Sequence, residues 1–154
     1  MSELLENIAD FLKRERDHSS ADSPLSDRPH ANALAAAVLL VELARQDQDY
    51  GIEERQIIAQ LVRERFDLTP KDAAALAARA ETVEHAADDN FEYRQTIRQN
   101  FTETERLSII EMLWRVAFAD GVLMPLEADL IHRIGGSIGL SETQINNANP
   151  ARLR

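Results

Sequence analysis

The sequence predicts an all-α protein, a compact bundle of about seven helices built from two copies of a helical repeat. Three observations carry that prediction. Apolar residues recur at helical spacing along most of the chain, and no run alternates with the period of a strand. The composition is 44% hydrophobic but only 5% aromatic, which suits helices packed through Ala, Leu, Ile and Val better than a β-sandwich. The chain also resembles itself when shifted by 73 residues, the distance from Asp47 to Asp120. Its 154 residues are enough for one domain with a real core.

The elements follow in order. Residues 2–15 place Leu4, Leu5, Ile8, Phe11 and Leu12 among charged neighbours, an amphipathic helix. "RDHSSADSPLSDRPH", 16–30, is polar with two prolines and reads as a linker. Residues 1–30 are thus an N-terminal helix plus linker, and the helical domain spans 31–154. A strongly apolar helix is expected over 31–46 and another over 52–65. Thr69 as N-cap, Pro70 at the first helical position and Asp72 at the third open an alanine-rich helix to about 87. "ADDNF" breaks it, and a short helix near 91–99 follows. Thr102 with Glu105 forms a capping box for a long apolar helix over 103–119. The next helix spans 125–138, and Ser141 with Gln144 caps a short last one.

The 73-residue shift lays Ala37, Leu40, Leu43 and Ala44 on Ile110, Leu113, Val116 and Ala117. It lays Asp47 on Asp120, Glu54 on Glu127, and Ile57, Ile58 and Leu61 on Leu130, Ile131 and Ile134. After a one-residue adjustment "FDLT", 66–69, meets "IGLS", 138–141. A long apolar helix, an acid at its end, an acid seven residues on, a second apolar helix and a capped third therefore occur twice. Two readings of the acids are open. A carboxylate early in a helix stabilises free N–H groups and the positive end of the dipole, and Asp-Gly is a common helix ending. Capping accounts for each acid alone but not for their paired recurrence. Two carboxylates brought together repel, and a shared hard divalent cation would relieve that. The first loop is no EF-hand: counted from Asp47, its sixth residue is Ile52 instead of Gly and its twelfth Ile58 instead of Glu.

These residues resemble the TerB-like (tellurite resistance protein B-like) family. Its pattern is an apolar helix ending in Ala-Asp-Gly, a short acidic loop, a Glu opening a second apolar helix, then Gly-Leu-Ser or similar. "AFADG" at 117–121, Glu127 and "IGLS" match it, and "ARQDQD", Glu54 and "DLT" look like a decayed first copy. The resemblance covers roughly 30–148. It implies an all-α bundle of about seven helices and an acidic site in the repeated loops that binds divalent metal. It further implies a role in tellurite or chemical stress response, with links to membrane-associated protein complexes, and no catalytic reaction. A similar domain occurs in membrane-anchored DnaJ-type co-chaperones. The chain departs from the pattern at Gln48, where glycine is usual, and at Val122 and Met124, where acids are usual. Loss of the acid at 124 also removes the cap expected before Pro125. The expected metal ligands are Asp47, Glu54, Asp120 and Glu127, with Asp49 assisting.

Charge and motifs narrow the rest. A net charge of −10 repels phosphate backbones, so no nucleic acid is expected as partner. With no cysteine, disulfides, thiolate metal sites and cysteine nucleophiles are excluded, which fits a cytoplasmic protein. No signal peptide and no membrane-spanning run are read, so direct membrane insertion is not expected. Glu81 with His85 and Asp129 with His132 are read as ordinary surface pairs, since no clean Glu-x-x-His motif of a di-iron bundle is present. Trp114 and Phe118 are read as core. Gly135-Gly136 is costly inside a helix, and close helix approach is its simplest reason. No phosphate loop, nucleophile elbow or dinucleotide fingerprint occurs. The helix at 2–15 is expected to dock on its own bundle or on a second copy, so a homodimer is one open arrangement. The expectation is a non-enzymatic, cytoplasmic stress-response protein with cation-binding acidic loops. The alternative is a metal-free protein–protein interaction module, adaptor or co-chaperone-like, whose acids are caps.

Overall fold

The computed structural model describes residues 28–47, 50–86, 90–119 and 123–150. The expected helix at 2–15 lies outside them, as do linker residues 16–27. Seven α-helices occur among the described residues: α1 Arg28–Ala44, α2 Ile52–Phe66, α3 Pro70–Ala86, α4 Phe91–Asn100, α5 Glu103–Ala117, α6 Pro125–Ser137 and α7 Glu142–Asn147. A 3-10 turn, Arg45–Asp47, extends α1, and no strand is present among these residues. None of the described helices is long and apolar enough to cross a membrane.

The first helix begins at Arg28, inside what the two prolines mark as linker. Pro29 lies in its first turn, where a missing N–H costs no intrahelical bond. Further along, α1 has no polar face over Ala35–Val41, and each of those residues is fully buried. A helix apolar all round must be surrounded. Accordingly α1 packs against α2, α3, α4, α5 and α6.

Side-chain bonds define the two ends of the bundle. At one end, Arg45 at the close of α1 pairs with Glu84 on the last turn of α3. There too Arg94 Nη2 on α4 donates to Glu42 Oε2 on α1 at 2.8 Å. At the opposite end, Asn100 on α4 donates to Asn32 on α1 at 3.1 Å, and Arg65 on α2 donates to Ser108 on α5 at 3.1 Å. Arg106 on α5 caps the far end of α6, giving a hydrogen bond to the Ile138 carbonyl at 2.7 Å. Thus α2, α4 and α6 all start at the end where α1, α3 and α5 finish.

Helix punctuation follows the expected residues. Thr69 Oγ1 accepts from the Asp72 N–H at 3.1 Å. The Thr102–Glu105 box closes in both directions, at 3.2 and 2.8 Å, and the Ser141–Gln144 box at 3.1 and 2.9 Å. Helices α2 and α6 finish alike. Among the described residues Asp67 and Gly139 are the positive-φ residues, at 55° and 90°. After each, an N–H reaches back five residues: Leu68 to the Arg63 carbonyl and Leu140 to the Gly135 carbonyl, both at 3.0 Å. The bounds keep the shift read in the sequence, Ala44 and Ile52 answering to Ala117 and Pro125.

Gly135 is a point of close approach between α6 and α7. A Cβ there would lie 2.4 Å from Ile145 Cδ1 on α7, so close approach does require this glycine. Its neighbour Gly136 has open space and no such reason.

Candidate functional site

The two acidic connections, α1 to α2 and α5 to α6, lie at the same end of the bundle. Each second helix opens with a glutamate at its third position. Glu54 Oε2 accepts the Gly51 N–H at 3.0 Å, and Glu127 Oε1 accepts the Met124 N–H at 3.2 Å. Neither Gly51 nor Met124 offers a side-chain hydroxyl in return, so each glutamate alone serves the first turn. These carboxylates are caps, as the dipole argument requires.

Their surroundings differ. Glu54 is half exposed, whereas Glu127 is 4% exposed. The phase of α6 explains this: Glu127 precedes Leu130, Ile131 and Ile134 on the stripe that faces the core, and all three are buried. A buried carboxylate is costly unless hydrogen-bonded, and the free N–H groups of a helix start meet that need.

Of the five expected ligands, Glu54 and Glu127 are described in full. Asp47 ends the 3-10 turn, which packs against α6, the helix that Glu127 opens. The side chain of Asp47, and Asp49 and Asp120 entirely, lie outside the described residues. Among the described residues no group of three or more His, Asp or Glu could hold a metal ion. A cation at this end therefore needs the acids of the loops as well as the two capping glutamates.

Sequence reasoning missed the network around the start of α2. Arg55 donates to both carboxylate oxygens of Glu81, Nε to Oε2 at 2.6 Å and Nη2 to Oε1 at 2.8 Å. Tyr50 donates its phenol proton to the same Glu81 Oε2 at 2.5 Å. Arg45, besides pairing with Glu84, lies 5.4 Å from the centre of the Tyr50 ring. Burial first, and then Glu81, push the Tyr50 phenol well above its ordinary range, so it remains a donor at physiological pH. The bond to Glu81 holds the Arg55 guanidinium charged. The available signal was modest: Arg45 and Arg55 bracket an acidic loop, and Glu81 and Glu84 share a helix face by their spacing of three.

Of the two histidine pairs, the side chain of His85 lies outside the described residues, and in the other Asp129 pairs with Arg133 at 3.0 Å. His132 lies edge-on to Trp114, ring centres 6.0 Å apart. Trp114 is 2% exposed, and its Nε1 donates to the Ile145 carbonyl at 3.0 Å. It is core, as expected, whereas Phe118 is half-buried beside it.

A family model described as "Tellurite resistance protein TerB" matches residues 33–150. No curated protein and no solved structure matches the chain.

Proposed function

The chain belongs to the tellurite resistance protein TerB family, and on that premise we propose that it is a non-enzymatic, cytoplasmic protein of tellurite or chemical stress response. Its acidic loops hold a divalent cation through Asp47, Asp49, Glu54, Asp120 and Glu127. The observation that carries this reading is the placement of Glu127. It is a carboxylate buried to 4% exposure, on a helix against which the turn from the other acidic loop packs. Hard divalent ions take several oxygen ligands, and the loops supply further carboxylates from both connections. A bound cation would offset the repulsion among these acids and tie the two helix pairs together.

A second reading has its own support. Glu54 and Glu127 already serve as caps, a sufficient reason for both in a metal-free interaction module of adaptor or co-chaperone type. A thermal melt of metal-stripped protein separates the two. A cation that binds only the folded state adds about 2.7 kcal/mol at a hundred times its dissociation constant. Under the cation reading, calcium, magnesium, manganese or zinc raises the midpoint, and Asp47→Asn with Asp120→Asn abolishes the rise. No rise for any ion, or a rise that survives the double substitution, leaves the caps as the whole account.

A further inference from the structure

The outward side of α5 is an open, hollowed surface. A hollow of about 450 Å³ lies between α5 and α7, lined by Leu107 and Ala148 together with Thr104, Ser108, Glu111 and Gln144. It borders the helix that has 6 residues where its counterpart α3 has 17. A second hollow, of about 180 Å³, lies between α5 and α2, lined by buried Leu61 and Met112 and by Glu64, Arg65 and Arg115. Ser108 and Glu111 line both, so the two hollows are one continuous surface along α5.

The register of that surface is symmetric. Ser108, Glu111, Arg115 and Phe118 follow at spacings of three, four and three, the seam of a helix that pairs with another. Ser108 and Phe118 stand equally far from Leu113 along the chain, and so do Glu111 and Arg115. An antiparallel copy crossing at the level of Leu113 therefore sets each half-buried Phe118 opposite the other chain's Ser108, where a small side chain borders the larger hollow. It sets each Glu111 opposite the other chain's Arg115. Within one chain these two already pair at 2.8 Å, with 46% and 53% of their side chains exposed. A copy would join two such pairs into a square of alternating charge. The overall charge is −10, so two copies repel over most of their surface. Here Glu64 and Glu111 are balanced by Arg65 and Arg115. A balanced face offers a strongly acidic or basic partner no net attraction, but it matches its own image. We propose that the outward face of α5 docks a second copy of this chain, as an antiparallel two-fold pair with Glu111 crossed to Arg115 and Phe118 seated at Ser108.

The test is sedimentation equilibrium of the full chain from micromolar to near-millimolar concentration. A chelating buffer keeps the outcome independent of the cation reading. The native chain is expected to dimerise reversibly. Glu111→Arg and Arg115→Glu, made separately, each set like charges across the two-fold axis and should weaken the dimer at least about tenfold. Mixed in equal amounts, with one of them labelled, the two variants restore both crossed pairs and should associate about as tightly as the native chain. A role confined to one helix cannot give that rescue, because each variant keeps its own like-charged i, i+4 pair in the mixture. A native chain that stays monomeric throughout would overturn the proposal. So would a dimer that neither substitution weakens, which would place the contact elsewhere, or a mixture no tighter than its components.

Discussion

The α1–α2 and α5–α6 connections share their helix bounds, their glutamate cap and the turn that closes the second helix, yet they are held by different forces. The first is pinned by charge: Tyr50 and Arg55 on Glu81, Arg45 on Glu84. At the matching positions the second has Phe118, Leu123 and Ala128, none of which can make such bonds. Among the described residues its distinguishing feature is burial, with Glu127 on the core face where Glu54 is half-buried. The third helix explains the split. α3 has 17 residues and reaches back to the acidic end, while α7 has 6 and stops beside Trp114. Among the described residues, it is the first unit that sets glutamates, Glu81 and Glu84, opposite the residues flanking its connection. The same local geometry can thus be fixed by a polar clamp or by apolar packing, according to what lies opposite.

Substitutions can break the comparison, taken here from the largest effect to the smallest. Gly135→Ala forces a methyl into Ile145 and should cost about 2–3 kcal/mol in denaturant unfolding. Its neighbour Gly136→Ala should add up to about 1 kcal/mol, because nothing lies near the new methyl. If the two changes act alike, α7 is not seated on Gly135. Glu81→Ala removes the partner of both Tyr50 and Arg55, and a loss of about 2 kcal/mol is expected, shrinking in high salt. A salt-independent loss would mean that the first loop is held as the second is. Glu127→Ala should cost more than Glu54→Ala, about 2 against about 1 kcal/mol, since only the former also empties a buried position. Equal costs would make burial irrelevant to the cap.

The smallest effect compares two capping boxes. The Thr102 N–H, first of all, holds the Glu105 carboxyl below its usual value of 4.5. A depressed carboxyl contributes stability that is complete above the unfolded value and is lost as pH falls through the folded one. The difference in melting point between the native chain and Glu105→Gln should therefore shrink as pH drops below 4.5. The Ser141 box itself contains no titratable group and should show no such dependence, read from Ser141→Ala at both ends of the same range.

The sequence was legible wherever structure is local. Capping boxes, prolines at helix starts and the all-apolar run of α1 announced themselves within a few residues, and the family pattern covered the same span. The left-handed turns at Asp67 and Gly139 fall where "FDLT" meets "IGLS" after the one-residue adjustment, but that alignment did not itself announce them. What stayed hidden is long-range: which glutamate of α3 would meet which arginine, and that His132 would turn to Trp114 and not to Asp129. Such choices depend on how helices lie on one another, which spacing along one helix does not encode. Glu127 falls between the two. Its phase with Leu130, Ile131 and Ile134 implied burial, but its identity as an acid argued for solvent.

The contact between Trp114 and the last helix has a practical consequence. The chain has one tryptophan, and its indole N–H is tied to the backbone of α7 beside the Gly135 seat. Its emission therefore belongs to a single place in the molecule. A red shift on loosening α7 would precede any change in helix content, giving the protein a built-in optical gauge of whether its C-terminal helix is home.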